Sequence, residues 1–241
     1  MASTASRKIS AASWASNADA TAYTNVSTTP VDSGVYIVVS QARRAAGQSV
    51  TPTLAGTNGW NVTWTARGNI LIGDLRLTVF TGTIGASPSA GQLTATFTAE
   101  TQDCHVGTVF LLSNANEAPV QIKMGSVAAD TTITVTFDSG LTDVWNGVLM
   151  VIANAAATGA MTAGLDDVDH YQCGAQHAAP DGVRANARFS PINQSAMTAS
   201  GFTSSAIAAA LIELDHDGSD VSAGAGIAQL VGPGGLVQVG A

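Results

Sequence analysis

Charge is the scarcest property of this chain. Only 11% of its 241 residues are Asp, Glu, Lys or Arg, against roughly a quarter in ordinary soluble domains. Lysine is nearly missing, with Lys8 and Lys123 the only two. The net charge is −8, and the basic residues form just two adjacent pairs, Arg7-Lys8 and Arg43-Arg44. Nucleic-acid binding needs clustered cations that displace counterions from phosphates, so the composition argues against it. Cysteine is also scarce: Cys104 and Cys173 are too few for a disulfide framework. A pair bridging two sheets and two buried reduced thiols both remain open, the second being the default. No run of apolar residues reaches the length of a membrane-spanning helix. Met1 to Trp14 carries Arg7 and Lys8 with no apolar stretch behind them, so a secretory signal is not expected there.

What the chain has instead is small and apolar residues. Hydrophobic residues make up 46%, enough for a sizeable core, and Thr, Ala and Ser fill the polar and small positions. A surface poor in long charged side chains is easily desolvated, which suits assembly. A codon bias toward Ala, Thr and Asp accounts for the same composition. The length suits one large β-sandwich or two small domains.

Period-two alternation, interrupted by Gly, Pro, Asn and Asp, is the dominant local pattern. Residues 35–39 (Val-Tyr-Ile-Val-Val) read as a central strand buried on both faces. Residues 60–65 alternate, with Trp60, Val62 and Trp64 on one side. Residues 75–80 place Leu75, Leu77 and Val79 inward and Arg76 and Thr78 outward; residues 93–98 set Leu93, Ala95 and Phe97 against three threonines. Further strands are expected at 105–112, 119–124, 132–137 (Ile133, Val135 and Phe137 inward) and 147–153. Outward β-branched Thr suits a half-solvated pleated sheet. Helix is expected only as a turn near Leu141–Trp145. Ala206–Leu214 has high helix propensity, yet Ile207, Ala209 and Leu211 alternate, and a closing strand is favoured over a helix. The fold class is therefore all-β, an antiparallel β-sandwich of jelly-roll-like type. Its expected organisation is an N-terminal arm over 1–22, a sandwich over 23–214 and a Gly/Ala-rich arm over 215–241. The last arm is dotted with Ile227, Leu230, Val231, Leu236, Val237 and Val239.

From about Gly34 to Leu214 the order of segments resembles a loosely defined family of phage-associated sandwich proteins of virions and tails. The pieces are Val35–Ser40, Pro52-Thr53-Leu54 leading to Trp60 and Val62-Thr63-Trp64-Thr65, and Arg76–Phe80. After them come Ser87-Pro88-Ser89-Ala90-Gly91, Gln92–Thr98 and Ala209–Leu214. The family's acidic, aromatic middle strand is replaced here by Val109-Phe110-Leu111-Leu112 without the acid. The resemblance implies a capsid decoration protein, a head fibre or a tail component. It supplies no catalytic residues.

Asp166-Asp167-Val168-Asp169-His170 with Cys173 and His177 offers oxygen ligands for Ca²⁺ or three soft ligands for Zn²⁺, at unconventional spacing. A polar loop is the favoured reading. Asp215-His216-Asp217-Gly218-Ser219-Asp220 fails the EF-hand template, because Gly stands fourth and position twelve is Gly226. No Gly-x-Ser-x-Gly elbow is present. Cys104 and His105, adjacent on a strand, point to opposite faces and form no dyad. Glu occurs only at 100, 117 and 213, with no paired carboxylates standing out. Trp60 and Trp64 could stack on a sugar, but sharing a face with Val62 favours core.

No catalytic, cofactor or metal residue is therefore assigned. The expected function is a structural protein of a bacteriophage virion, a capsid decoration protein on the head exterior. Its partners would be itself, as a homotrimer or other cyclic homo-oligomer, and the major capsid protein or another virion protein. Neither nucleic acid nor membrane is expected as a direct partner. The rival is a tail-fibre or tail-tip module that binds glycan through loops at one end of the sandwich.

Overall fold

The computed structural model describes residues 9–112, 116–142, 146–155, 159–162, 169–176, 182–190 and 194–215. Strands are numbered β1 to β14 along the chain, and every pairing between them is antiparallel. A central sheet of five strands runs in the order β1 (Ile9–Ser16), β8 (Cys104–Leu112), β3 (Val35–Arg43), β6 (Leu75–Thr83) and β5 (Thr65–Ile72). A second sheet runs β11 (Gly159–Thr162), β14 (Ala196–Leu214), β10 (Gly147–Asn154), β13 (Gly182–Ser190) and β12 (Asp169–Gln176), with β9 (Gln121–Thr136) also paired to β14. A small cap sheet runs β2 (Ala22–Thr24), β7 (Leu93–Thr96) and β4 (Thr53–Gly56). Among the described residues there is no α-helix.

The two large sheets pack face to face. Ile37, Val39, Leu77, Val79 and Phe110 of the central sheet share one core with Leu149, Val151, Phe189, Ala210 and Ile212 of the second. Each fully buried aliphatic or aromatic side chain contributes roughly 1.5–3 kcal/mol by leaving water. The outer faces are covered as well. Tyr36, Val38, Phe80 and Val109, on the far side of the central sheet, pack with Trp60 and with Leu93 of the cap sheet. On the far side of the second sheet, Val148, Met150, Ile152 and Leu211 meet Ile133, Val135, Phe137, Met197 and Phe202. The last five belong to the end of β9, the residue after it and the start of β14, which fold back over their own sheet. The fold thus stacks four layers, and β3 and β6 of the central sheet and β10 of the second are buried on both sides.

This layering explains where the sequence pattern succeeds. Residues 35–39 are the doubly buried strand expected of them. Ala206–Leu214 is strand despite its helix propensity, because Ala208, Ala210 and Ile212 enter one core while Ile207, Ala209 and Leu211 enter another. Tertiary burial on two faces overrides the local preference for helix.

It also explains three departures. Residues 60–65 are not a strand: Asn58–Trp60 form a 3₁₀ turn, and β5 begins only at Thr65. Their alternation reflects a coil laid over the central sheet, with Trp60 buried and the Trp64 indole donating to the Trp60 carbonyl at 3.3 Å. Segments 119–124 and 132–137 are not two strands but parts of β9, continuous because both halves pair with β14. The outward face of 75–80 is not solvated, since Arg76 and Thr78 are buried there. Asn69 Oδ1 accepts from Arg76 Nη1 at 2.8 Å and from the Thr78 hydroxyl at 3.1 Å.

Ile9–Ser16, within the segment read as an arm, supplies the edge strand β1. Of the turn expected near Leu141–Trp145, residues 143–145 lie outside the described residues, as do residues 216–241 of the C-terminal arm.

Candidate functional site

The outer face of the central sheet carries the two arrangements with chemical potential. The first is polar and sealed. Strand pairing sets Ala42 opposite His105 and Ser40 opposite Gly107, and this brings the Ser40 hydroxyl 3.0 Å from His105 Nε2. Cys104 and His105 do point to opposite faces: Cys104 enters the core between the large sheets, whereas His105 stacks on Tyr23 with ring centroids 4.8 Å apart. Trp14 and Phe97 complete the aromatic enclosure of the imidazole.

A hydroxyl beside an imidazole is two parts of a nucleophilic triad. The third is not in place, for His105 Nδ1 has no partner among the described residues. Both side chains are buried, and burial holds the imidazole down at about 3. The ring is therefore neutral at physiological pH. With no route to substrate, the pair's role is to join β3 to β8 beneath the cap sheet. Sequence reading missed it because the partners are 65 residues apart; only the register between two strands reveals them.

Nearby, Glu100 is buried and ties residues 49 and 50 to Gln102, just ahead of the strand bearing His105. Its carboxylate accepts from the Ser49 hydroxyl at 2.7 Å, the Ser49 amide at 2.9 Å and the Gln102 amide group at 3.1 Å. Burial alone would raise its pKa, but these bonds and one from the Val50 amide outweigh it and hold the carboxyl at about 2. A second buried carboxylate, Glu213, sits on the far face of the second sheet. It accepts from the Thr142 amide and hydroxyl and from Asn146, each at 2.8 Å, and from Gln121. These bonds likewise override burial and lower its proton affinity. Both carboxylates are buried.

The second arrangement is open and aromatic. A groove of about 470 Å³ lies beside the cap sheet, with Trp14, Tyr36, Trp60, Val109 and Leu111 among its lining. Trp60 is only 4% exposed and is held by its indole N–H donating to the Thr28 carbonyl at 3.0 Å. Trp60 therefore belongs to the core, as sequence sharing with Val62 implied, while one part of it borders the groove. The Tyr36 ring meets Trp60 edge-on, centroids 5.0 Å apart, and its hydroxyl accepts the Val31 amide at 2.8 Å. Trp14 is fixed from below by Gly107, where any Cβ would overlap its ring. At the rim, Val26 is 80% exposed and Val31 also stands in solvent.

Among the described residues, no group of three or more His, Cys, Asp or Glu converges as a metal site would. Asp166, Asp167, Val168 and His177 lie outside the described residues, as do the side chains of Asp169, His170 and Cys173 and the loop after Asp215. Arg43 of the basic pair is engaged: its Nε lies 2.8 Å from Asp74, and its Nη1 donates to the Ala155 carbonyl. Compared with known proteins, the chain matches no family model, no curated protein and no solved structure.

Proposed function

We propose that this chain is a structural protein of a bacteriophage virion, a capsid decoration protein that acts by binding neighbours rather than by catalysis. In finer detail it would be a jelly-roll-type module with terminal arms, located on the head exterior. It would associate with itself as a trimer or other cyclic oligomer, whose closed symmetry satisfies its contacts without open growth, and with the major capsid protein.

One observation carries the reading. Several of the short segments on which the resemblance to phage-associated sandwiches rests, far apart in sequence, meet in one hydrophobic cluster, whereas Ala209–Leu214 enters the two cores of the second sheet. Tyr36 and Val38 from β3, Trp60, Val62 and Trp64 from the covering coil, Phe80 from β6 and Leu93 from β7 all pack together. The charge-poor composition supports the same reading, because such a surface loses little hydration when buried against a neighbour.

The test is to purify particles by density gradient from the strain whose genome carries the gene. Mass spectrometry should find the chain at a fixed ratio to the major capsid protein after high-salt washing. Its absence from intact particles would overturn the proposal.

A further inference from the structure

We propose that the groove bordered by Trp14, Tyr36 and Trp60 is a binding site for a short neutral saccharide. This goes beyond a structural role and stands whether or not the chain belongs to a virion.

The lining decides the chemical class. None of the groove's residues carries a charge, although acidic residues outnumber basic ones 17 to 9 in the chain. An anionic ligand would find no cation there, and a cationic one no carboxylate. Trp14, partly exposed, offers apolar surface for the C–H face of a sugar ring, while Tyr36 and Trp60, 5% and 4% exposed, form the floor of the groove. The volume of about 470 Å³ falls among small-molecule clefts, roughly 300–1,000 Å³, and suits a few sugar units rather than a folded partner.

Spare hydrogen-bonding capacity points the same way. Thr28 and Thr29 are exposed and line the groove, and no hydrogen bond engages their hydroxyls among the described residues. The Tyr36 oxygen accepts from Val31, which leaves its own proton to donate. The Asn25 carbonyl oxygen of the side chain accepts from the Leu93 amide at 2.7 Å, leaving its NH₂ for a ligand. Uncommitted hydroxyl and amide groups around an aromatic surface fit a ligand that is itself a ring of hydroxyls. A purely apolar partner would leave these groups unpaired on burial, at a cost.

The experiment uses the full chain and an array of neutral oligosaccharides (gluco-, galacto-, manno- and N-acetylglucosamine oligomers) beside their sulfated and sialylated counterparts. Neutral members should bind and change tryptophan fluorescence. Trp14→Ala should weaken that binding about tenfold. The double variant Thr28→Val/Thr29→Val, which alters only exposed hydroxyls, should weaken it several-fold with the melting temperature unchanged. Absence of any neutral binder at millimolar concentration would overturn the proposal. So would preference for charged glycans, or binding that both variants leave intact. If Val26→Asp instead dissociates an oligomer while no saccharide binds, the groove is a protein contact and the proposal fails.

Discussion

The Ser40 hydroxyl stands 3.0 Å from Nε2 of His105, and both groups are sealed beneath the cap sheet. Charging a histidine in this position would place a cation where water cannot solvate it, and among the described residues Nδ1 has no hydrogen-bond partner to compensate. The arrangement therefore makes acid the natural stress on this fold.

The direction follows from proton linkage. Unfolded, His105 titrates near 6.5; folded, burial keeps it neutral down to about 3. Between those values the unfolded chain holds the extra proton, so stability falls as pH drops, by up to about 1.4 kcal/mol per pH unit. The depressed carboxyls Glu100 and Glu213 add to this only below about pH 4.5, their contribution being lost as pH falls toward their folded values. Melting temperature measured from pH 7 to pH 4 should thus decline before the carboxylates begin to titrate. In His105→Gln the protein should be less stable at pH 7 but its decline between pH 6.5 and 5 should be shallower. An unchanged slope would show that His105 is not the group responsible.

Trp60 and Trp64 stack with ring centroids 6.3 Å apart but differ in burial, Trp60 being core and Trp64 partly exposed. Trp60→Ala removes a buried ring against Tyr36 and Phe80 and should cost about 3–5 kcal/mol. Trp64→Ala should also lower the melting temperature, by a smaller amount. Chemical denaturation of both variants checks the order, and a reversed order would mean that the covering coil is held from its outer side.

Strand positions were legible wherever burial alternates along the chain, as at Leu75, Leu77 and Val79. Alternation reports which side chains are covered, and it does not report what covers them. At 60–65 it arose from a coil lying on a sheet, so backbone pairing was inferred where none exists. The cap sheet and the folded-back end of β9 were invisible for the same reason: Arg76 and Thr78 look solvent-facing until a second layer covers them. The candidate site was legible only in part. Trp60 was singled out as either core or ligand platform, but Trp14, Tyr36 and the 25–31 loop reach the groove through long-range pairing that local pattern cannot encode.

Glu213 offers a sharper test of the second sheet. Its carboxylate gathers donors from Gln121 on β9 and from Thr142 and Asn146 on the loop leading to β10. Glu213→Ala would strand four donors, of which that of Asn146 is buried and the others partly so, and should cost about 1–3 kcal/mol. Glu213→Gln keeps the shape and one acceptor, so it should cost less than half as much. Equal losses in the two variants would indicate that packing, rather than the buried hydrogen bonds, is what Glu213 provides.

The four-layer stack depends on β14 passing from one layer to the next, and the passage is made at Gly201. Pairing with β9 shifts register between Ser200 and Ser205 and again before Ile207, and Gly201 lies inside that interval with φ of 87°. Side chains with a Cβ adopt such backbone angles only at a cost of roughly 1–2 kcal/mol, and a β-branched residue at more. On one side of the bend Met197 and Ala199 cover the outer face of the second sheet; on the other Ile207, Ala209 and Leu211 form part of that face. Straightening β14 would therefore separate the two halves of one core. Gly201→Ala should destabilise by about 1–2 kcal/mol and Gly201→Val by more. In hydrogen exchange the added lability should appear first at Ile133–Val135 and Met197–Ala199, with the amides of β3 and β6 in the central sheet unaffected. Uniform loss of protection across both large sheets would show instead that the bend is an integral part of a single cooperative unit.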